Sequence, residues 1–382
     1  MSWYPLIAAP LFVFMGLTLA KSGVADNLYK AIYLWMGRVD GGLGMGTIVL
    51  CALTACMSGL SVCATVTAGT IALPSMLKRK YDKLMVTGVV QAGGALGFLI
   101  PPSMVFILYG IIARVSIGHL WLAGILPGFL LATMYIIYIG VRCARNPKLG
   151  PPIPEEQRGT WGEKFSSLKA GIVPIVLIFT VLGLLFMGVT SLLECATIGA
   201  TGSLVATAIN RKLTWKLARE IADQTLIVSS MFLWIVAAAM LFAAVFDGLG
   251  ATHAVASILH VVGFNRWVIL ITMQGSFLLM GMVLDDTAML LIVAPLYIPI
   301  VNELGFDLVW YGVLYVLNCQ MAVLTPPFGY NLFIMKGIVP KEISLADIYR
   351  SVIPFVGIQA ACLGIVMAFP QIALWIPGMF FK

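Results

Sequence analysis

The run LTPPFGYNLF, Leu324–Phe333, decides how the chain is to be read. It sets two consecutive prolines inside a stretch otherwise apolar enough to cross a bilayer. Proline lacks an N–H and clashes with the preceding turn, so a doubled proline unwinds a helix. In lipid, the carbonyls freed by the unwinding need protein, water or an ion as a partner. The same device stands far upstream in LIPPSMVFIL, Leu99–Leu108.

Composition sets the class. Of 382 residues, 61% are apolar and 10% charged, with a mean hydropathy of +1.02. Soluble domains carry about a quarter charged residues. The apolar runs are continuous rather than alternating, and they exceed what a globule can bury. The expected fold is therefore an all-α polytopic membrane protein. The formal charge of +7 lies mostly in short loops between apolar runs, where it signals orientation and not a nucleic-acid partner. The seven cysteines show no CxxC spacing and read as packing residues rather than a metal or redox centre.

Full spans are expected at Tyr4–Leu19, Leu84–Ala113, Leu120–Val141, Ile172–Thr190, Ser191–Ile209, Thr225–Phe246, Val309–Met335 and Val352–Ile376. Ala25–Met36 and Trp215–Asp223 are amphipathic and suit the interface. Two further apolar stretches break in the middle: Met45–Leu77 at SGLS (Ser58–Ser61) and Trp267–Val301 at LDDT (Leu284–Thr287). Read as hairpins that enter and leave on one face, they sort the loops. One side keeps only Arg114, Arg266 and Lys382 of the 23 basic residues. The positive-inside rule makes the opposite side cytoplasmic, so hairpin 1 enters from the cytoplasm and hairpin 2 from outside.

The double prolines are 225 residues apart, Pro101 with Pro326 and Pro102 with Pro327. The same interval pairs Pro74 with Pro299, Asp82 with Asp307 and Gly23 with Gly248. The chain is accordingly read as two copies of one unit. Residues 1–150 form the first, with hairpin 1 at 45–77 and a broken helix at 84–113. A cytoplasmic linker (151–171) and scaffold helices with an interfacial arm (172–224) lead to the second, 225–382, with hairpin 2 at 267–301 and a broken helix at 309–335. Hairpins entering from opposite faces make the copies inverted, an arrangement typical of secondary transporters.

Each broken helix faces a hairpin tip and supplies hard oxygen ligands, which suit Na⁺. One candidate ion site combines Ser58, Gly59 and Ser61 with Pro101 and Ser103; the other combines Asp285, Asp286 and Thr287 with Thr325 and Gly329. Thr65, Gln91, Asn318, Gln320 and Asn331 are candidate substrate contacts, with interhelical hydrogen bonding as the alternative. An intramembrane enzyme is disfavoured because Asp285 and Asp286 are adjacent and point apart. A channel is disfavoured because polar residues gather at two tips rather than along a face. No cofactor is expected beyond the coupling ion, and the acids at hairpin 2 leave proton coupling open.

In IALPSMLKRKYDK (Ile71–Lys83), GFLIPPSMVFILYG (Gly97–Gly110), LWLAGILPG (Leu120–Gly128), LLECATIGATGSL (Leu192–Leu204), LDDTAMLLIVAPLYIPIV (Leu284–Val301) and LTPPFGYNLFIMKGI (Leu324–Ile338), the chain resembles the large membrane subunit of tripartite ATP-independent periplasmic (TRAP) transporters. The resemblance implies an elevator mechanism driven by a Na⁺ gradient in a bacterial or archaeal inner membrane. It implies two partners, a small four-helix membrane subunit and a periplasmic substrate-binding protein, and a small organic anion as substrate. A dicarboxylate-type carrier working without a binding protein is the alternative. Hairpin 1, MSGLSVCATV (Met57–Val66), lacks the acid the family more often shows, whereas hairpin 2 has two. Two helices precede the second unit with no counterpart before the first, so about two N-terminal scaffold helices are expected to be missing ahead of Met1.

Overall fold

The computed structural model describes residues 4–154, 160–250 and 265–380, and among these the regular structure is helical throughout. The first half runs α1 (Tyr4–Lys21), α2 (Val24–Met36), α3 (Gly42–Ser58), α4 (Ser61–Lys78), α5 (Lys83–Ala95), α6 (Met104–Ala113) and α7 (Ile117–Arg145). Then come α8 (Trp161–Phe186), α9 (Leu192–Ile209) and α10 (Trp215–Gly248). The last part holds α11 (Arg266–Gly281), α12 (Asp286–Glu303), α13 (Leu308–Ala322), α14 (Tyr330–Ile338), α15 (Leu345–Ala368) and α16 (Gln371–Phe380).

The helix starts follow local chemistry. Thr160 with Glu163, Ser191 with Glu194 and Ser344 with Asp347 form reciprocal capping boxes at α8, α9 and α15. Asp82 accepts from the Met85 N–H, and Asp307 from those of Val309 and Trp310. These acids open α5 and α13 by satisfying otherwise orphaned first-turn donors. Helix bounds keep the 225-residue interval: α4 begins at Ser61 and ends at Lys78, α12 begins at Asp286 and ends at Glu303.

The core lies around α5 and α13. Every residue of α5 from Met85 and of α13 from Trp310 is buried, the pattern of a helix surrounded by others. Aromatic rings join the two halves: Tyr109 stacks on Tyr315 at 6.1 Å, and Tyr315 meets Phe277 edge-on at 4.9 Å. The Tyr109 hydroxyl also donates to the Leu308 carbonyl at 2.8 Å. Outside this core, α1 packs against α9 and α10, and α8 against α9. The outer helices turn large apolar side chains outward; Trp234 and Leu241 of α10 are exposed.

Two expected boundaries are corrected. Trp215–Asp223 is not a separate interfacial piece but the first turns of α10, which runs 34 residues without interruption. No glycine or proline interrupts it before Gly248, and at ~1.5 Å per residue it exceeds the ~30 Å hydrocarbon thickness. Its polar start therefore projects beyond a bilayer as continuous helix. Conversely, Val352–Ile376 is not one span: α15 ends at Ala368 and α16 starts at Gln371, across Phe369–Pro370. Proline cannot continue the helix there.

Candidate functional site

Hairpin 1 turns at Gly59 and Leu60, between α3 and α4. Gly59 has φ +65°, and a Cβ there would stand 2.7 Å from the Pro102 carbonyl oxygen. Only glycine fits both the left-handed backbone and the approach. The tip is tied to the break, because the Met104 N–H donates to the Gly59 carbonyl at 3.3 Å. Ser103 holds the break from both ends: its hydroxyl donates to the Phe98 carbonyl and accepts from the Phe106 N–H at 3.4 Å. The Ser58 hydroxyl donates back to the Thr54 carbonyl at 3.0 Å. Ser61 accepts from the Asn331 side-chain amide at 2.9 Å, so the first tip touches the start of α14.

Hairpin 2 repeats the tie with different chemistry. The Phe328 N–H, in the second break, donates to the Met282 carbonyl at 3.2 Å. Asp285 is exposed and caps α12 by accepting from the Thr287 N–H at 3.2 Å. Thr325 donates to the Met321 carbonyl at 2.6 Å, and Gly329 sits at φ +35° before α14. Asp286 is the first residue of α12; its side chain lies outside the described atoms. The first tip is thus neutral and buried, the second acidic and open.

Both tips meet at one cavity of about 840 Å³. Gly59, Leu60, Ser61 and Cys63 line it from hairpin 1, Asp285 and Thr287 from hairpin 2, and Met104 and Tyr330 from the two short helices after the breaks. Leu17 and Lys21 of α1, with Gln224, Val228 and Phe232 of α10, make the facing wall. Of the residues expected at the ion sites, Gly59, Ser61, Asp285 and Thr287 reach this cavity; Ser58, Pro101, Ser103, Thr325 and Gly329 are not among its lining residues. A volume of this size accommodates a small metabolite with room to spare.

The expected substrate contacts are placed differently. Thr65, Gln91, Asn318, Gln320 and Asn331 are not among the lining residues, and all are at most 1% exposed. Gln91 donates to the Thr87 carbonyl at 3.2 Å and lies 3.4 Å from the Ser351 hydroxyl; Asn318 donates to Gln274. Gln91, Asn318 and Asn331 thereby bridge neighbouring helices, and none of the five turns into the cavity. Thr65 Oγ1, Asn331 Oδ1 and both side-chain polar atoms of Gln320 have no hydrogen-bond partner among the described residues. Thr67, which stands near hairpin 1 where the family more often has an acid, lines the cavity, and so do Lys21, Asp26, Thr70 and Gln224, which the sequence reading does not place at a site. Lys21 counted there only as one of the loop cations. The paired Thr67 and Thr70, one turn apart on α4, were the available signal.

Comparison with known proteins adds a second line. A family described as "Tripartite ATP-independent periplasmic transporter, DctM component" matches residues 1–372. The chain is 30% identical over 376 residues to the C4-dicarboxylate TRAP transporter large permease protein DctM of Pseudomonas aeruginosa, covering 98% of this chain and 86% of that one. It is 28% identical over 381 residues to the ectoine TRAP transporter large permease protein TeaC of Halomonas elongata, covering 99% and 87%. Among solved structures, the YdaH transporter of Alcanivorax borkumensis superposes with a TM-score of 0.70 over 97% of this chain and 87% of that one, at 14% identity, a likeness of fold.

Proposed function

The chain belongs to the DctM component family of tripartite ATP-independent periplasmic transporters, and from that premise we propose that it is the permease subunit for Na⁺-coupled uptake of a small organic anion. The observation that carries this reading is the cavity shared by both hairpin tips, each tip hydrogen-bonded to its own proline break. One Na⁺ is assigned to Ser58, Gly59, Ser61, Pro101 and Ser103, and one to Asp285, Asp286, Thr287, Thr325 and Gly329. Backbone carbonyls at tip and break supply much of each set, which offsets the absence of an acid at hairpin 1. Thr65, Gln91, Asn318, Gln320 and Asn331 order the core behind the tips, and Asn331 adds an amide oxygen beside Ser61.

The relatives named above serve C4-dicarboxylates and ectoine, and the substrate here is read as a small molecule of that scale. The two units are inverted repeats in the inner membrane, hairpin 1 entering from the cytoplasm and hairpin 2 from the periplasm. Transport proceeds by an elevator motion in which the hairpins and broken helices move as a body against α1 and α8–α10. A small membrane subunit supports the scaffold, and a periplasmic binding protein delivers the substrate.

Thermal unfolding of the detergent-purified permease in NaCl against equal KCl tests the ion sites. An ion bound only by the folded state stabilises it by RT ln(1 + [L]/Kd), about 1.4 kcal/mol at ten times Kd. A Na⁺-specific rise in Tm is expected, reduced in Ser61→Ala and in Thr325→Ala. Coincident NaCl and KCl curves in a folded sample overturn the sodium assignment and favour protons at the hairpin 2 acids.

A further inference from the structure

Among the described residues Lys164 is the one buried charged side chain, at 3% exposure. It stands near the start of α8, where that helix packs on α2. Its ammonium lies 4.8 Å from the centre of the Trp161 ring and 6.0 Å from that of Trp35, which comes from α2. The Trp35 indole N–H donates to the Lys164 carbonyl at 3.2 Å. Phe165 meets Trp35 edge-on at 5.6 Å and stacks on Trp161 at 6.4 Å. The three rings, drawn from two helices, form one cluster, and the charge lies against two of them.

Aromatic faces attract a cation without neutralising it. A buried ammonium ordinarily keeps a carboxylate beside it, because taking the charge out of water is costly. Among the described residues none forms an ion pair with Lys164. Glu163, its neighbour in the chain, turns its carboxylate to the Thr160 N–H at 2.8 Å and closes the helix cap. The cluster also faces outward: Trp161 is 62% exposed, Phe165 59% and Trp35 37%. Tryptophans so placed on a membrane protein belong at the level of the lipid headgroups. The proposed orientation puts this level on the cytoplasmic side, with Lys30 and Arg38 of the same loop region. The cytoplasmic leaflet is the one that presents anionic headgroups.

We propose that this corner between α2 and α8 binds an anionic phospholipid of the cytoplasmic leaflet, its phosphate at the Lys164 ammonium and an acyl chain along Trp161 and Phe165. Trp161 is the most exposed of the three rings, and its movement opens the ammonium to the headgroup. Bound there, the lipid ties α8 to α2. None of these residues lines the cavity between the hairpin tips, so the site goes beyond the permease reading and takes from it only the orientation.

Permease purified in neutral detergent and stripped of lipid tests this by thermal shift against dioleoyl phosphatidylglycerol, dioleoyl phosphatidylcholine and inorganic phosphate. Phosphatidylglycerol is expected to raise Tm at about one fifth the concentration phosphatidylcholine needs, the factor one ammonium near an anionic surface supplies. Lys164→Met should abolish that preference and Lys164→Arg should keep it. Should Lys164→Met fail to fold, native mass spectrometry gives a second reading: phosphatidylglycerol retained by the wild type and less of it by Trp161→Leu. Equal responses to the two lipids, a preference that survives in Lys164→Met, or equal retention by the wild type and Trp161→Leu overturns the proposal. A rise reproduced by inorganic phosphate overturns it in favour of a free-anion site. Glu155 and Glu156 precede the helix in the chain. If Glu155→Gln with Glu156→Gln lowers the lipid-free Tm as much as Lys164→Met does, the charge belongs with the chain's own acids and the proposal falls. The Na⁺ shift, read in the same samples, reports on the permease reading separately.

Discussion

Gly59 joins three constraints at one residue: a left-handed backbone, the end of α3, and contact with the Pro102 carbonyl. Placing an L side chain there costs about 1–2 kcal/mol in backbone strain alone, and the 2.7 Å approach forces tip and break apart. Gly59→Ala is therefore expected to lower stability by about 2 kcal/mol and to reduce the Na⁺-dependent rise in Tm, because the strained contact is part of the proposed ion site. Denaturant or thermal melts of the variant with and without Na⁺ check both effects. An unchanged Na⁺ shift in a destabilised Gly59→Ala would remove the tip carbonyls from the ion site. Ser61 and Asn331 work by other means. Their buried 2.9 Å hydrogen bond links α4 of the first half to α14 of the second at the edge of the cavity. A lost partner there leaves a buried polar atom unsatisfied rather than merely a weaker contact.

Among elements, the broken helices are the ones whose form follows most directly from local chemistry. α5 and α13 end near the double prolines, and α6 and α14 start again beyond them with new caps or turns, Ser103 and Gly329. The helices that meet between halves are joined at their ends. Lys83, at the start of α5, pairs with Asp347, in the first turn of α15, at 2.9 Å. Lys83 is about half exposed and Asp347 also closes a capping box with Ser344. An exposed pair of this kind contributes under ~1 kcal/mol. Lys83→Met is expected to lower Tm slightly, and Asp347→Ala more, since it removes the cap together with the ion pair. Equal effects of the two substitutions would show that the capping box contributes nothing.

At the scale of the whole molecule, the proposed orientation makes a direct prediction. Lys148, after α7, lies on the side assigned to the cytoplasm, and Asn265, before α11, on the opposite side. In intact cells, a single introduced cysteine at Asn265 should react with an impermeant maleimide, while one at Lys148 should react only after permeabilisation. The native cysteines are replaced for this purpose; five of the seven, Cys51, Cys143, Cys195, Cys319 and Cys362, are fully buried, so serine or alanine there must be checked for folding. Labelling of both positions from one side would end the inverted arrangement. The cavity belongs to this scale too, since its walls come from α1, α4, α10 and α12, far apart in the chain.

The sequence by itself determined the class, the helical breaks and the pairing of a polar tip with each break. These are local properties: proline forbids a helix where it stands, and a run with almost no charge has only a few ways to satisfy its backbone. It also made α10 look like two pieces, because amphipathic residues and apolar residues can occupy one continuous helix without any signal between them. Tertiary structure alone decided which polar side chains reach the cavity. Ser61 and Asp285 do, while Thr65, Gln91, Asn318, Gln320 and Asn331 point into neighbouring helices, and Lys21 arrives already paired with Glu220. A side chain's direction depends on how its helix is rotated against others, and helix rotation is fixed by packing across segments that no local pattern brings together.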